Sequence, residues 1–305
     1  MSAFAERQGT KMEEFKSVAV VGLGLIGGSM AKTIKERTDV KVYGQNRNRS
    51  VGVKAKEEDV IDGIVGEDVP LGEMDLIILG LYPDACIEYV KRNLSEFKPG
   101  AVIVDCCGTK TKICNALTEV CESAGLHFVG GHPMAGIEKS GYDASFAGLF
   151  DGASMILCKL DSTNNNAFIR LKEFFLSLGF GYVKESNPTE HDRVIAYTSQ
   201  MAHVVSSSYI KSDACKIRYG FSAGSFKDMT RVAYLNETMW TELFLENREF
   251  LLAEMEEYIS HMREYRDALR DNDEEELCKL LKEGRLCKEA DIAEEEKLKK
   301  ERANE

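Results

Sequence analysis

The sequence predicts an α/β fold, in which an N-terminal, doubly wound parallel sheet is followed by an all-helical half. In the first half, short runs of Val, Ile and Leu alternate with segments that suit helices, as is typical of parallel strands covered on both faces. After Ser186, the run Asn187-Pro188-Thr189-Glu190 is a strong signal for a helix start, and no convincing strand follows it. We therefore expect two domains, residues 1–187 and residues 188–305.

Each element follows from a local pattern. Strands are predicted at Ser17–Val21, Val40–Tyr43, Leu76–Leu79, Ala101–Asp105, Phe128–Gly130, Met155–Cys158 and Gly181–Glu185. Helices are expected between them, at residues 26–37, 84–94, 111–124 and 165–178. In the second half, apolar residues recur every three or four positions on one long helix, at Leu251, Met255, Tyr258, Met262, Tyr265 and Leu269. This seam predicts a homodimer formed by the helical half; packing within a bundle is the alternative.

Composition excludes several classes of protein. The 305 residues are 44% hydrophobic, enough to bury a core, while the net charge of −12 disfavours binding to nucleic acid or to an anionic membrane. The chain has no apolar run of membrane-spanning length, and its first residues lack the apolar stretch of a secretory signal. The nine cysteines show neither a Cys-x-x-Cys pair nor a zinc spacing. We expect a cytoplasmic protein with reduced thiols and no metal.

A glycine-rich turn follows the first predicted strand. Gly22, Gly24 and Gly27 form the pattern G-x-G-x-x-G, and Leu25 and Ile26 lie between the last two, at the helix start. The first glycine permits the tight turn, the second lets the backbone approach a pyrophosphate, and the third lets the helix pack on the sheet. Free N–H groups at the helix N-terminus attract the anion. This turn predicts a Rossmann-type domain that binds NAD or NADP.

The loop after the second strand bears on the choice of cofactor. An acid at this place normally binds the ribose 2′-hydroxyl and repels a 2′-phosphate, but here the chain has Asn46 and Arg47. Asn46 removes the repulsion, and Arg47 can pair with a phosphate. We expect NADP to be used at least as well as NAD; the alternative is an ordinary polar loop with an exposed arginine.

A histidine stands in a Gly- and Pro-rich stretch after a predicted strand, where α/β sheets bind ligands: Gly131-His132-Pro133-Met134-Ala135-Gly136. Here the sequence resembles the prephenate dehydrogenase family. The resemblance covers nearly the whole chain, through the blocks GLGLIGGS, CCGTKTKI, GGHPMAGIEKSG, EHDRVIAYTSQMAH and GSFKDMTRVA and the pair Met239-Trp240. It implies oxidative decarboxylation of prephenate, with hydride transfer to NAD(P)+, in tyrosine biosynthesis.

The resemblance also implies roles for single residues. His132 would be the base that takes the proton of the substrate's ring hydroxyl, and Thr109 would orient this pair. The substrate pocket would be formed by Arg231 for a carboxylate, Glu138 as a gate, His191 and His203 along the cleft, and Trp240 as a wall. The residue types suit the chemistry, because an acidic protein needs a local cation for a dianion and the oxidation needs a base near neutrality.

Two positions depart from the family's pattern, and several alternatives stay open. Gln200 stands where relatives often have a second histidine, and Thr111 where they often have a lysine; Lys110 or Lys112 could substitute for that lysine or face solvent. Arogenate is the alternative substrate. A β-hydroxyacid-type dehydrogenase is disfavoured because no comparable lysine block stands out. A non-catalytic NAD(P)-sensing protein is disfavoured because both His132 and Arg231 are present.

Overall fold

A computed structural model describes residues 14–302 and divides the chain into two compact units, Met1–Arg248 and Glu249–Glu305. The first unit contains one eight-stranded sheet. Its strands are β1 (Ser17–Val21), β2 (Lys41–Gln45), β3 (Gly63–Ile64), β4 (Leu76–Leu79), β5 (Val102–Asp105), β6 (His127–Pro133), β7 (Ser154–Cys158) and β8 (Tyr182–Ser186). Their order across the sheet is β3-β2-β1-β4-β5-β6-β7-β8, and only β6 and β7 pair antiparallel. The predicted α/β class is confirmed, since the first six strands have the order of a doubly wound dinucleotide-binding fold.

Helices cover the sheet and then continue without strands to residue 302. Those between strands are α1 (Leu25–Arg37), α2 (Arg49–Glu57), α3 (Pro83–Arg92), α4 (Thr111–Ser123) and α5 (Asn165–Ser177). Those that follow the sheet are α6 (Pro188–Ile195), α7 (Ala202–Tyr209), α8 (Gly224–Thr230), α9 (Glu237–Glu246), α10 (Arg248–Arg270) and α11 (Glu274–Arg302). Asn187 caps α6 by accepting a hydrogen bond from the N–H of Glu190, so the predicted helix start is confirmed. The domain boundary at residue 187 stays a prediction.

Both faces of the sheet are buried, which explains why its central strands read as continuous apolar runs. Along β1, Val18 and Val20 pack into a core on one face, and Ala19 and Val21 into a second core on the other. The residues of β4 alternate between the same two cores. Because successive side chains of a strand point to opposite faces, each strand contributes to both cores at once.

The sixth strand differs from its prediction. We predicted a strand at Phe128–Gly130 followed by a loop, but β6 continues to Pro133 and carries His132 within it. The first half of β6 pairs parallel with β5, and Gly130 to Pro133 pair antiparallel with β7. This second partner extends the strand past the glycines, which weaken a strand signal in sequence. Helix α2 and the two-residue β3 were also missed.

The second unit consists of α11 and nearly all of α10, two helices separated by a short turn. The predicted long helix is confirmed. Three of the six residues of its apolar seam are exposed, Tyr258, Met262 and Leu269 at 40%, 53% and 64%, whereas Leu251 is buried. Tyr265 donates a hydrogen bond to the carbonyl of Leu280, which links the two helices. Across residues 14–302, no helix has both the length and the apolar character needed to cross a membrane.

Candidate active site

The glycine turn between β1 and α1 has the geometry of a phosphate site. A Cβ atom at Gly27 would lie 1.9 Å from the carbonyl oxygen of Gly22, so helix and turn can approach this closely only without a side chain. A Cβ atom at Gly24, in contrast, would meet no atom of residues 14–302 within 4 Å. No side chain in the described chain caps α1, and its first turn has no acid. The open space and the free N–H groups of Leu25 and Ile26 fit a dinucleotide pyrophosphate.

The loop after β2 is tied to this turn by Asn46. Its side-chain oxygen accepts a hydrogen bond from the N–H of Leu23 at 3.0 Å, and its Nδ2 donates to the carbonyl of Asn48 at 3.1 Å. One N–H of the amide is left for a ligand. Arg47 is exposed, whereas Arg49 is paired with Glu67 at 2.7 Å. Arg47 is therefore the arginine of this loop that an adenosine phosphate can recruit.

His132 lies near the carboxyl end of β6 and is partly buried. Its Nδ1 lies 2.9 Å from Nε2 of His191, and its Nε2 has no hydrogen-bond partner among the described residues. The pKa of His132 is well below 6.5 because burial disfavours the charged ring, and His191 and Lys110 lower it further. The ring of His132 is thus neutral near pH 7. Its Nδ1 is bonded to His191, and its Nε2 is available to a ligand.

His191 and Asp192, at the middle of α6, are both buried. The Nδ1 of His191 lies 2.7 Å from Oδ1 of Asp192, whose two oxygens also accept the backbone N–H groups of Lys110 at 2.7 Å and Thr111 at 2.8 Å. The carboxylate thereby caps the N-terminus of α4. His191, predicted to line the substrate cleft, contacts His132. The sequence-based assignment missed Asp192, although it follows His191 directly.

Lys110 is completely buried in an ion pair with Asp105, which is also completely buried. Its Nζ also donates to the carbonyl of Gly131 at 2.6 Å, and Asp105 accepts the N–H groups of Cys107 and Gly131. A Cβ atom at Gly131 would lie 2.3 Å from the carbonyl oxygen of Asp105, so the glycine permits this close approach of β5 and β6. Although burial lowers the pKa of Lys110, Asp105 raises it overall, and the amine stays charged next to the backbone of β6 that carries His132.

Thr109, proposed to orient the base, does not hydrogen-bond to His132 in the structure. Its hydroxyl donates to Oε2 of Glu246 at 2.6 Å, and Lys112 donates to Oε1 of the same residue at 2.9 Å.

Gln200 is buried, donates to the carbonyl of Leu243 and accepts from Asn247. These hydrogen bonds connect α9 to the π-helical turn Ala196–Met201, which contains Gln200. Turns of this kind are common near functional sites.

Arg231 and Glu138 form an ion pair at 3.0 Å, with side chains that are 68% and 48% exposed. A backbone hydrogen bond at Glu138 and the ion pair with Arg231 both lower the pKa of the carboxyl group. Because the pair is exposed, an incoming carboxylate can displace Glu138 from the guanidinium at little cost. The pairing fits the predicted roles of carboxylate ligand and gate.

His203 and Trp240 contact each other, with ring centroids 3.9 Å apart, and Phe244 also packs against the indole, with ring centroids 5.3 Å apart. The Nδ1 of His203 donates to the carbonyl of Val232 at 3.0 Å, which fixes the ring beside Arg231. Burial lowers the pKa of His203, and the carbonyl of Val232 offsets this only in part. The structure thus joins six of the predicted residues into three pairs, His132 with His191, Arg231 with Glu138, and His203 with Trp240, and leaves Thr109 outside them.

This sheet, with its glycine turn and a neutral histidine at the carboxyl edge, defines the class of nicotinamide-dependent dehydrogenases. The chain matches the family model of the prephenate dehydrogenase nucleotide-binding domain over residues 30–183 and that of the prephenate dehydrogenase dimerization domain over residues 187–283. The protein belongs to the prephenate dehydrogenase family.

Similar proteins agree with this membership. Prephenate dehydrogenase of Bacillus subtilis (strain 168) is 30% identical over 274 residues, which is 87% of this chain and 73% of that protein. Cyclohexadienyl dehydrogenase of Zymomonas mobilis is 29% identical over 287 residues, covering 91% and 96%. The structure of prephenate dehydrogenase from A. aeolicus, in complex with hydroxyphenyl propionate and NAD+, superposes with a TM-score of 0.81 at 28% identity, covering 92% of this chain and 99% of that one.

Proposed function

We propose that the protein catalyses the oxidative decarboxylation of prephenate to 4-hydroxyphenylpyruvate, with hydride transfer to NAD+ or NADP+, in tyrosine biosynthesis. The observation that carries the proposal is the neutral His132 at the carboxyl edge of the sheet, with Nε2 free to accept a proton. Strand β6 lies three strands from β1, roughly 14 Å at about 4.8 Å per strand. An extended dinucleotide anchored at the glycine turn can bridge that span.

Arg231 and His203 supply the means to bind the substrate. Prephenate carries two carboxylates, and Arg231 can grip one of them with two parallel hydrogen bonds once Glu138 is displaced. The Nε2 of His203 is available to the substrate because its Nδ1 is bound to the carbonyl of Val232. Trp240, in contact with His203, forms an apolar wall suited to the ring.

The chemistry then needs one base. His132 accepts a hydrogen bond from the ring hydroxyl and takes its proton while the hydride leaves the same carbon. The bound nicotinamide supplies the hydride acceptor. The bond between the ring and its carboxylate then breaks and carbon dioxide departs. The electron pair of the broken bond completes the aromatic ring. The proton held by His132 returns to the oxygen, so the reaction releases no net proton. Near pH 7 the low pKa of His132 keeps it ready to accept.

The cofactor preference is part of the proposal. We infer that NADP+ is used at least as well as NAD+, because Asn46 and Arg47 stand where this fold often has an acid, and Arg47 is exposed and has no partner among residues 14–302. Asn46 keeps one N–H for either ribose. Homodimer assembly through the helical half and a cytoplasmic location are also proposals.

The test is a matrix of two cofactors and two substrates. The purified chain is mixed with NAD+ or NADP+ and with prephenate or arogenate, and reduced nicotinamide is followed by absorbance with the aromatic product identified. The proposal expects the highest kcat/KM with prephenate. A higher value with arogenate, which has an ammonium in place of the keto group, would reassign the substrate. Cofactor binding without turnover of either substrate would identify a nicotinamide-sensing protein.

A further inference from the structure

A chain of hydrogen bonds leads from the N-terminus of α4 to the proposed base. Asp192 is fixed by the backbone N–H groups of Lys110 and Thr111, and it holds Nδ1 of His191 at 2.7 Å. The opposite nitrogen of His191 reaches Nδ1 of His132 at 2.9 Å. Three elements, α4, α6 and β6, thereby determine the orientation of one imidazole ring.

The hydrogens in this chain can be placed by elimination. Although burial raises the pKa of Asp192, hydrogen bonds from His191 and Thr111 lower it overall, so the carboxylate is ionised and can only accept. The Nδ1 of His191 must therefore carry a hydrogen. Burial lowers the pKa of His191, only partly offset by Asp192, so the ring is neutral and its Nε2 is a bare acceptor. The hydrogen between the two histidines then belongs to Nδ1 of His132.

We propose that His191 and Asp192 are positioning residues that hold His132 in the tautomer with its hydrogen on Nδ1, leaving Nε2 unprotonated toward the substrate. This inference rests on the proposed function, in which Nε2 of His132 accepts the proton of the substrate. In the other tautomer, Nε2 would carry a hydrogen and could not take the proton of the ring hydroxyl. In the catalytic triad of serine proteases, loss of the carboxylate that fixes the histidine tautomer lowers kcat about 10⁴-fold.

Charged groups on the neighbouring elements favour the same state. The ammonium of Lys110, paired with Asp105, disfavours a second positive charge on either histidine and lowers the pKa of both. When both rings are neutral and His191 donates to Asp192, only a hydrogen on Nδ1 of His132 gives a hydrogen bond between the two rings, because the other tautomer places two bare nitrogens face to face.

A matched pair of substitutions at His191 isolates the acceptor. His191→Gln and His191→Leu both remove the imidazole, but the glutamine oxygen can still accept from Nδ1 of His132, whereas leucine cannot. Asp192 is left unchanged because it also caps α4. We expect His191→Leu to lower kcat by about 100- to 1,000-fold with little change in either KM, and His191→Gln to recover most of that loss. Equal and small effects in folded variants would overturn the proposal.

A spectroscopic readout does not depend on turnover. With ¹⁵N-labelled histidine, the five histidines of the chain are resolvable by NMR, and His132→Asn assigns the signal of His132. The wild-type protein should show a protonated Nδ1 and an unprotonated Nε2 at His132, and His191→Leu should lose this preference. A protonated Nε2 in the wild type would overturn the inference, even if His191→Leu fails to fold. If the wild type turns over neither substrate, the proposed function fails while the tautomer is still measured.

Discussion

At the scale of single residues, the environment of His132 predicts an unusual pH dependence. A base works only when unprotonated, and burial together with His191 and Lys110 places the pKa of His132 well below 6.5. The ring therefore stays unprotonated as the pH falls through 6.5, and protonation stops the reaction only at lower pH. We expect kcat/KM for prephenate to stay level down to pH 6.5. An acid limb with an apparent pKa of 6.5 or above, which would belong to the coupled histidine pair, would contradict this.

Arg231 should act on substrate binding more than on chemistry. Its guanidinium pairs with Glu138 in the structure and is 68% exposed, so it is accessible to a carboxylate. We expect Arg231→Ala to raise KM for prephenate by about 10- to 100-fold with a smaller change in kcat. Arg231→Lys should rescue only in part, because an ammonium lacks the planar fork.

Steady-state kinetics of both variants check this, with Arg92→Ala as a control that removes an exposed arginine at the end of α3. If KM for prephenate is the same in Arg231→Ala and in the control, Arg231 does not bind the substrate.

At the scale of elements, the loop after β2 should set the cofactor preference. Asn46→Asp can still accept from the N–H of Leu23 but repels a 2′-phosphate, so kcat/KM with NADP+ should fall relative to NAD+. Arg47→Ala should lower the efficiency with NADP+ by about 10-fold or more and leave NAD+ nearly unchanged. Arg49→Ala is the control, since that arginine is paired with Glu67. The loop has another role if the wild type strongly prefers NAD+ and if this preference is unchanged in both Asn46→Asp and Arg47→Ala.

Elements with strong local signals could be predicted from sequence, and elements made by tertiary contacts could not. The strand β1, the glycine turn and the capped start of α6 were each predicted because their signals lie within ten residues. The second half of β6 depends on pairing with β7, which no local pattern reveals. The short β3 has only two residues, too few for a periodic signal.

The candidate site shows the same division. His132 and Arg231 stand in distinctive sequence contexts, so motif and resemblance found them. The contacts of Thr109 and Glu246, 137 positions apart, and of Lys110 and Asp192, 82 apart, require the folded chain. The burial of Lys110 was not predictable either, because its ion pair with Asp105 needs the close approach of β5 and β6.

At the scale of the whole molecule, the seam on α10 predicts self-association. The exposure of its apolar side chains to water is unfavourable. The chain also matches a dimerization-domain model over residues 187–283. Met262→Glu places a charge in the seam and should shift the protein from dimer toward monomer. Ser260→Glu, an equal charge at an exposed position on another face of α10, should leave the dimer intact. Sedimentation at micromolar concentration measures both; a monomeric wild type would contradict the prediction.

The central claim is that His132 is the base for the oxidation of prephenate, and its replacement tests this most directly. His132→Asn is compared with His127→Asn, which removes a histidine from the other end of the same strand, where it pairs with Glu122. The measurement is kcat with saturating prephenate and cofactor, together with the dissociation constant of the cofactor. We expect His132→Asn to bind cofactor like the wild type and to lose about 10²–10⁴-fold in kcat, while His127→Asn keeps its turnover. Turnover of His132→Asn close to the wild-type rate would contradict the account.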